Sequence, residues 1–343
     1  MIVCQAMNAR IRKASDDFRT AEQAGCEESL ATLLKAAGDP LRLQILRALS
    51  NNAFGALELS DIFAMRQNAL SHHLKLMSKA GLVSPRREGT HIFYRRTVEP
   101  GRHRDLCEAI YAAADTLALP EDVARRFDEV QNSRAAASRA FFRVNAGKFR
   151  EQQDLIASYP QYGEAVLATL DRYGPLNGKI ALEIGPGEGE LLPGLWHRFG
   201  RVIALDNAAE MLARARALAA ESGLTDIDFI LGDTASPQLQ VLRADAITLN
   251  MVLHHTPAPA AIIRDLAGCL TDNGVLVVTE LCNHDQDWVR EACGDLWLGF
   301  EPEELGRWAL AAGLAEGGSE FLALKNGFSI QIRQFLKAPG GAD

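Results

Sequence analysis

The chain has 343 residues, of which 23% are charged and 48% hydrophobic, and its formal net charge is −8. A domain usually has about 100–200 residues, so this length predicts two or more domains, and the composition excludes a disordered or collagen-like chain. No stretch approaches the roughly 18 uninterrupted apolar residues that cross a bilayer. The first residues lack the apolar core of a signal peptide, and the six cysteines form no CxxC pair. We therefore expect a cytoplasmic protein with reduced thiols.

The charge is divided unevenly along the chain. Residues 1–150 hold 23 Lys and Arg against 17 Asp and Glu, whereas residues 151–343 hold 13 against 27. Within 66–96, seven residues are basic and only Glu88 is acidic. A solvated basic face would explain such a run by itself. Nucleic-acid binding becomes the better explanation if the segment has a shape that enters a groove.

The pattern over residues 28–96 is that of helices followed by a hairpin. Apolar residues at helical spacing predict four helices: one from Glu28, one from Pro40 with Asp39 as its N-cap, one over 56–64 and one over 68–80. Residues 82–96 predict two strands around a turn at 87–90. This order indicates a winged helix-turn-helix, which is an α+β domain.

The predicted helix over 68–80 has one apolar and one polar face. Leu70, His73, Leu74 and Met77 share the face that we expect to pack inward. A helix in the major groove presents its outward side chains to base edges, and arginines on a hairpin suit phosphates or a narrow minor groove. The predicted DNA contacts are Gln67, Asn68, Ser71, His72 and Lys75 on the helix, with Arg86, Arg87, Arg95 and Arg96 on the hairpin. A winged helix used for protein contact is the alternative.

Three segments together resemble the ArsR/SmtB-type transcriptional regulators. They are Asp-Pro-Leu-Arg-Leu-Gln-Ile-Leu at 39–46, Leu-Ser-His-His-Leu-Lys-Leu-Met at 70–77 and Ala-Gly-Leu-Val at 80–83. The basic hairpin predicted at 82–96, which forms the wing of such a domain, accompanies them. The likeness covers about residues 28–100. It implies a homodimer, held by the first helix and the helix after the wing, that binds an inverted-repeat operator in double-stranded DNA as a repressor.

Many of these regulators sense metals, but their ligand sets are missing here. The predicted helix over 68–80, which carries the expected base contacts, is the recognition helix. The short helix before it contains Ala-Leu-Glu-Leu-Ser-Asp at 56–61 and no cysteine. His103 and Asp105, after the wing, offer too few ligands for the other known arrangement. We therefore expect no metal site.

The second half alternates short apolar strands with helices. Two helical connectors come first, at 102–119 and from Pro120 to about 155. Strands are predicted at 179–184, 201–205, 227–231, 244–250 and 274–280, with helices at 190–198, 208–222 and 258–270. The alternation indicates parallel strands with crossover helices, and therefore a doubly wound, Rossmann-like α/β sheet. The tail from 301 to 337 predicts a helix followed by two strands near 319–336.

The first of these strands ends in a glycine-rich loop. Its alternate positions are Glu183, Gly185, Gly187 and Gly189. Glycine lets the backbone turn sharply and approach a ligand, and the following helix terminus favours an anionic group. Glu190 stands where a dinucleotide fingerprint needs its third glycine, which disfavours NAD. Asp206 and Asp233 end the next two strands, where carboxylates can accept ribose hydroxyls or an adenine amino group.

This set resembles the class I S-adenosylmethionine-dependent methyltransferases. The likeness covers about residues 150–337 and includes Asn-Met-Val-Leu-His-His at 250–255 and Gly-Val-Leu-Val-Val at 274–278. It implies S-adenosylmethionine or S-adenosylhomocysteine as cofactor, with Glu183, Gly185 and Gly187 at the methionine part, Asp206 at the ribose and Asp233 at the adenine. The implied cofactor-binding set also contains Gly189, Asn207, Thr234 and Asn250.

A catalytic base is less clearly indicated. His254 and His255 follow the fourth strand, at the edge where ligands bind, and are the candidates. Alternatively, one packs and the other caps or faces solvent. Methyl transfer can proceed by alignment alone, so a base is not required. An arsenic methyltransferase would need a cysteine cluster, which the placement of Cys269, Cys282 and Cys293 does not suggest.

We divide the chain into a winged helix-turn-helix domain at 1–100, with its core at 28–97, a helical dimerisation or connector region at 101–155, and a methyltransferase-like domain at 156–343. Two functions fit this organisation. The first is a DNA-binding transcriptional regulator whose second domain binds the adenosyl nucleoside as an effector. The second is an active methyltransferase on a small molecule, in which the winged helix serves dimerisation or autoregulation.

Overall fold

The computed structural model describes residues 27–50, 52–88, 91–97 and 103–339. It divides the chain into two compact units, one ending at Asp128 and the other beginning at Glu129. Cys4, Cys26 and the centre of the predicted turn at 87–90 lie outside the described residues. No helix among the residues described is both long and apolar enough to cross a membrane.

The first unit is a winged helix-turn-helix. Its elements are α1 (27–37), α2 (Pro40–Ala48), β1 (Phe54–Gly55), α3 (Ala56–Ile62), α4 (Gln67–Lys79), β2 (Val83–Glu88), β3 (His91–Arg96), α5 (Arg104–Asp115) and the start of α6 (Glu121–Asn145). The strands form an antiparallel sheet in the order β1-β3-β2. Strand β1 is not predicted from the sequence, because two residues are too few to show a strand period.

Local interactions explain why these helices begin and pack where they do. Asp39 caps α2 as expected, since its side chain accepts a hydrogen bond from the Arg42 backbone amide at 3.0 Å. Along α4, Leu70, Leu74 and Met77 are fully buried. Because these three residues recur at helical spacing, their burial directs the opposite face of α4 away from the core.

The second unit contains the remaining helices and one large sheet. Its helices are the rest of α6, α7 (Phe149–Ile156), α8 (Tyr159–Tyr173), α9 (Leu192–Trp196), α10 (Ala209–Glu221), α11 (Pro237–Gln240), α12 (Pro259–Cys269), α13 (Trp288–Cys293) and α14 (Pro302–Ala311). Its strands are β4 (Ile180–Ile184), β5 (Arg201–Asp206), β6 (Ile227–Leu231), β7 (Ala244–Asn250), β8 (Leu270–Leu281), β9 (Leu314–Ala323) and β10 (Ser329–Lys337).

Two predicted helices differ from the observed ones. The stretch from Pro120 to about 155 is not one helix, because a 3-10 turn at Ala146–Lys148, which contains Gly147, separates α6 from α7. The helix expected over 190–198 is reduced to Leu192–Trp196. The residues before it form the turns of the glycine-rich loop, so fewer of them are available to the helix.

The sheet has the strand order β6-β5-β4-β7-β8-β10-β9. The pairs from β6 to β8 are parallel, and β10 pairs antiparallel with both β8 and β9. The prediction of a doubly wound α/β fold is therefore confirmed. Strand β4 has β5 on one side and β7 on the other, which makes the carboxyl end of β4 the topological switch point where such folds bind ligands.

Candidate functional site

The outward face of α4 carries the polar side chains that the sequence analysis selected. The exposed residues of this face are Gln67, Asn68, Ser71, His72 and Lys75. His73, which was expected to pack inward, is half-buried. The face therefore offers hydrogen-bond donors and acceptors on a helix whose other side is fixed in the core, as major-groove recognition requires.

The wing arginines have different environments. Arg87 is exposed, while Arg86 and Arg95 are half-buried. Arg96, also expected at the DNA surface, points into its own unit. Its guanidinium donates to both carboxylate oxygens of Asp115, at 2.9 and 2.7 Å, and to the Leu46 carbonyl at 2.8 Å. The assignment of Arg96 to DNA contact was wrong, because charge alone does not distinguish a phosphate-binding arginine from one that joins two elements.

The glycine-rich loop follows β4 and packs closely against its neighbours. Gly185 has a φ of +62°, and a Cβ placed on it would lie 2.7 Å from Val252 Cγ2. Its amide donates to the Leu205 carbonyl at 2.8 Å. Gly189 has a φ of +90°, and its Cβ would lie 3.0 Å from the Ala215 Cα. Both positions therefore require glycine for conformation and for space.

One side of the loop opens into a cleft, which we call the nucleoside cleft. Of the predicted cofactor residues, it is lined by Gly185, Gly187, Asp206, Asn207, Asp233 and Thr234. Asp206 accepts a hydrogen bond from the Ala208 amide at 2.8 Å, and burial raises the pKa of Asp206 to about 6. Thr234 donates to Asp265 at 3.0 Å, whereas Asp233 is exposed.

The other side of the loop opens into a second cleft, which we call the acidic cleft. It is lined by several polar and acidic residues, among them Glu183, Asn250, Glu188, Glu190 and Asp154. Glu183 is buried, accepts hydrogen bonds from Thr248 and from Asn250 Nδ2, the latter at 3.1 Å, and has its pKa raised by burial to about 8. The Oδ1 atom of Asn250 is buried without a hydrogen-bond partner.

These two clefts fit the parts of an adenosyl sulfonium nucleoside. Arg150 also lines the acidic cleft and pairs with Glu190 at 2.8 Å. Glu183 and Asp154 still offer carboxyl groups to a cationic amino or sulfonium group, and the orphan Asn250 Oδ1 is an acceptor that such an ammonium can satisfy. Asp206 ends β5, where a carboxylate can accept from a ribose diol. Because Gly185, Gly187 and Met251 line both clefts, one ligand can extend across the loop from one to the other.

The two candidate histidines are both buried, so neither of them faces solvent. His254 Nδ1 hydrogen-bonds to Glu280, while His255 lines the nucleoside cleft. Burial acts to lower the pKa of His254, but the charges of Glu280 and Asp295 outweigh it and raise that pKa to about 9. The pKa of His255 is lowered, by burial and by the neighbouring His254 charge.

Sequence reasoning missed several residues that line the clefts. Ser138 and Phe142, on the carboxyl-terminal half of α6, line the nucleoside cleft, and the Phe142 ring lies 4.9 Å from the His255 ring. Met251 lines both clefts and has a φ of +56°, a conformation rare outside glycine. The one sequence signal for Met251 as a cleft residue was its position directly after Asn250, within the segment 250–255 of the methyltransferase likeness. Nothing in the sequence places α6 at the cleft.

Two domain families match this chain. The methyltransferase domain family matches residues 182–278, and the helix-turn-helix domain family matches residues 37–86. The first match begins just before the glycine-rich loop and ends in β8, so it includes Asp206, Asp233 and the two histidines. The second covers α2, α3 and α4 and ends within the wing.

Individual proteins are similar to each half. An uncharacterized HTH-type transcriptional regulator of Methanocaldococcus jannaschii is 43% identical over 68 residues, which are 20% of this chain and 76% of that protein. A ubiquinone biosynthesis O-methyltransferase of Sodalis glossinidius is 30% identical over 125 residues, 36% of this chain, so the chain spans only 50% of that enzyme's length.

The fold of the second unit also has relatives among solved structures. The magnesium protoporphyrin IX methyltransferase of Synechocystis, solved with bound SAH, superposes with a TM-score of 0.50 and 18% identity over 60% of this chain and 100% of that one. At this identity the likeness concerns the fold. The chain belongs to the helix-turn-helix transcriptional regulators, and it joins their DNA-binding domain to a methyltransferase domain.

Proposed function

We propose that the protein is a DNA-binding transcriptional regulator of the ArsR type. Its second domain binds S-adenosylmethionine or S-adenosylhomocysteine as the effector. The observation that carries this proposal is the double role of α6. The division between the two units falls inside this helix, and its second half lines the nucleoside cleft. A ligand in the cleft therefore contacts an element that continues into the regulator domain.

The first half of α6 is fixed within the DNA-binding unit. The Phe127 ring packs edge-on against Phe54 with centroids 5.4 Å apart, and Arg126 Nε donates to the Ile62 carbonyl at 2.8 Å. Phe54 lies in the strand that pairs with the wing, and Ile62 ends α3. A displacement of α6 would thus act on the elements next to the recognition helix.

The second half of α6 is fixed at the cleft. Ser138 donates to the His255 carbonyl, and Phe142 packs against Ala208 and Met211 beside Asp206. A ligand changes DNA affinity only to the extent that it binds the two states of the protein differently, and such couplings are typically about 5- to 150-fold. We expect the nucleoside to exert its effect through these contacts.

A homodimer on an inverted repeat is part of the proposal. Symmetric operators require two recognition helices related by a two-fold axis. The predicted contact helices α1 and α5 present exposed apolar side chains, with Leu34 51% exposed on α1 and Leu117 41% exposed just after α5. These side chains support a surface that pairs two copies.

The test uses the full-length protein and duplexes selected from a random pool. DNA affinity is measured by fluorescence anisotropy at several salt concentrations, without nucleoside and with each of the two nucleosides. We expect Ser71→Ala and Arg87→Ala to weaken DNA binding, and Ser222→Ala, an exposed serine outside the DNA-binding unit, to leave it unchanged. Asp206→Ala should keep basal DNA binding and abolish the nucleoside effect.

The outcomes separate the two parts of the proposal. Absence of DNA binding at every salt concentration would remove the regulator. DNA binding that neither nucleoside changes, together with heats of nucleoside binding measured by calorimetry, would retain the regulator and remove the effector role.

A second candidate function is methyl transfer to a small molecule. The observation that favours it is His255, whose buried imidazole lines the nucleoside cleft with Nε2 lacking a hydrogen-bond partner. A neutral imidazole at that place can accept a proton from an acceptor hydroxyl or amine. Turnover of labelled S-adenosylmethionine with a panel of acceptors tests it, and His255→Gln should lower turnover more than it lowers nucleoside affinity.

A further inference from the structure

Three side chains below the nucleoside cleft form a group that the regulator proposal does not use. His254 and His255 lie in the short 3-10 turn after β7, and Asp295 lies two residues after α13. One ligand-type atom of each lies within 4.8 Å of those of the other two. All three residues are buried, with exposed fractions of 0%, 6% and 3%.

The polar atoms of this group are unsatisfied to an unusual degree. Both carboxylate oxygens of Asp295 and the Nε2 atoms of both histidines are buried without a hydrogen-bond partner. A buried polar atom without a partner destabilises a protein by about 1–3 kcal/mol, and more if it is charged. One bound ion could satisfy several of these four atoms, since they belong to three neighbouring residues.

The other nitrogen of each imidazole is already held. His254 Nδ1 hydrogen-bonds to the Glu280 carboxylate, and His255 Nδ1 lies 3.4 Å from the Gly294 carbonyl and 3.6 Å from Asp295 Oδ1. Metal-binding histidines usually have this arrangement, in which one ring nitrogen is fixed by a carboxylate or carbonyl and the other is left for the metal. Glu280 and Gly294 therefore orient the two rings as outer-shell residues of metal sites do.

We infer that His254, His255 and Asp295 bind one late first-row divalent metal ion, such as Zn²⁺. Two imidazoles and one carboxylate suit zinc, iron or cobalt better than magnesium or calcium, which prefer oxygen ligands alone. Glu280 and Asp295 bring two buried carboxylates to the cluster, and the positive charges acting on Asp295 are those of His254 and Arg290. A divalent ion would supply the charge that balances them.

The position of the site suggests how an ion enters and what it meets. His255 also lines the nucleoside cleft, so the cluster adjoins a surface that solvent reaches. Tetrahedral zinc holds its ligand atoms about 3.3 Å apart, so ligand atoms that lie within 4.8 Å of one another need to approach by up to about 1.5 Å. With three protein ligands, the fourth position would remain for water or a small molecule. For this domain, the proposed site takes the place of the expectation from sequence that the chain has no metal site.

The first experiment measures metal binding directly. Full-length protein without a histidine tag is stripped with chelator and titrated with Zn²⁺ and, separately, with Co²⁺, whose visible absorption reports ligand type and geometry. We expect one ion per chain and, from X-ray absorption of the zinc form, two imidazole ligands. Mg²⁺ at the same concentrations should produce no binding heat.

Two variants test the assignment. Asp295→Asn keeps the side-chain shape and should weaken Zn²⁺ binding at least tenfold, whereas Asp228→Asn, an exposed aspartate paired with Arg201, should leave it unchanged. Circular dichroism establishes that each variant folds. If Asp295→Asn does not fold, the imidazole count from the unmodified protein decides the question. Binding that is absent, that is unaffected by Asp295→Asn in a folded protein, or that shows cysteine ligands would overturn the inference. Nucleoside affinity is measured in parallel, so that a failure of metal binding is distinguished from a failure of the effector proposal.

Discussion

The hydroxyl of Ser138 donates a hydrogen bond to the backbone carbonyl of His255, with 3.1 Å between the two oxygens. This bond links α6 to the turn that follows β7, and it stands beside the 4.9 Å contact between the Phe142 and His255 rings. The helix is thereby attached to the floor of the nucleoside cleft by one polar and one aromatic contact. Both contacts can be removed without altering a predicted nucleoside-binding residue.

Phe142→Ala should weaken nucleoside binding about tenfold and reduce the nucleoside effect on DNA affinity. The ring forms part of the cleft wall and packs on Ala208 and Met211, so its removal opens the cleft to water. Calorimetry and DNA anisotropy measure the two effects. The matched control is Val144→Ala on the same helix, where the side chain is 76% exposed. Equal behaviour of the two variants would contradict the role given to α6.

Gly185→Ala should abolish nucleoside binding and destabilise the second unit. The added Cβ meets Val252 Cγ2 at 2.7 Å in a backbone with a φ of +62°. The close contact and the backbone strain together should lower the free energy of unfolding by about 2–4 kcal/mol. Gly223→Ala is the control, because Gly223 has a similar φ of +67° and no atom within 4 Å of an added Cβ. The Gly223→Ala variant therefore measures the backbone strain alone. Val252→Ala, added to Gly185→Ala, removes the close contact and should restore part of the stability.

Nucleoside affinity should fall as the pH drops below about 6. The pKa of Asp206 is raised from 3.8 to about 6 by burial, so the carboxylate that accepts from a ribose diol becomes protonated in that range. The loss should reach up to about tenfold per pH unit. Titrations between pH 5 and 8 check it, and Asp206→Asn should show weak binding without this pH dependence.

The same shift has the opposite sign for the ligand-free protein. Because the folded-state pKa is above the unfolded one, the Asp206 contribution to stability is present below pH 3.8 and is lost as the pH rises through about 6. Urea unfolding across this range should therefore show a smaller decline in Asp206→Asn than in the unmodified protein. A decline of equal size in both would assign the pH dependence to other groups.

Arg96→Ala and Arg87→Ala should separate stability from DNA binding. Removal of Arg96 breaks its paired hydrogen bonds to Asp115 and its bond to the Leu46 carbonyl, so we expect a loss of about 2 kcal/mol in urea unfolding. Arg87 is exposed, and its removal should reduce stability less than the removal of Arg96 does. Arg87→Ala should instead weaken DNA binding and lower the salt slope by about 1. A fully stable Arg96→Ala protein would contradict the structural role of Arg96.

Much of the fold could be predicted from sequence, because the signals are local. The N-cap at Asp39, the buried stripe of Leu70, Leu74 and Met77, and the glycine loop after β4 each depend on residues close in the chain. The methyltransferase family match covers the predicted strand ends at Asp206 and Asp233, and the clefts bring both together with Gly185 and Gly187. The individual binding roles remain predictions.

The parts that sequence could not predict depend on distant contacts. Arg96 and Asp115 are 19 positions apart, and nothing in a basic run shows which arginine is paired. Ser138 and His255 are separated by 117 positions, and Asp295 reaches His255 from a different element. The two histidines follow the predicted strand, and nothing in the sequence shows that the 3-10 turn after β7 buries both.

The order of strands at one edge of the large sheet has a consequence for synthesis on the ribosome. Strand β9 is made before β10, yet β10 lies between β8 and β9 and pairs with both. In the nascent chain, β9 therefore has to wait without its hydrogen-bonded neighbour until β10 has emerged and inserted. The vectorial order of translation and the spatial order of the sheet disagree here, so this edge of the sheet can be completed only after β10 has emerged.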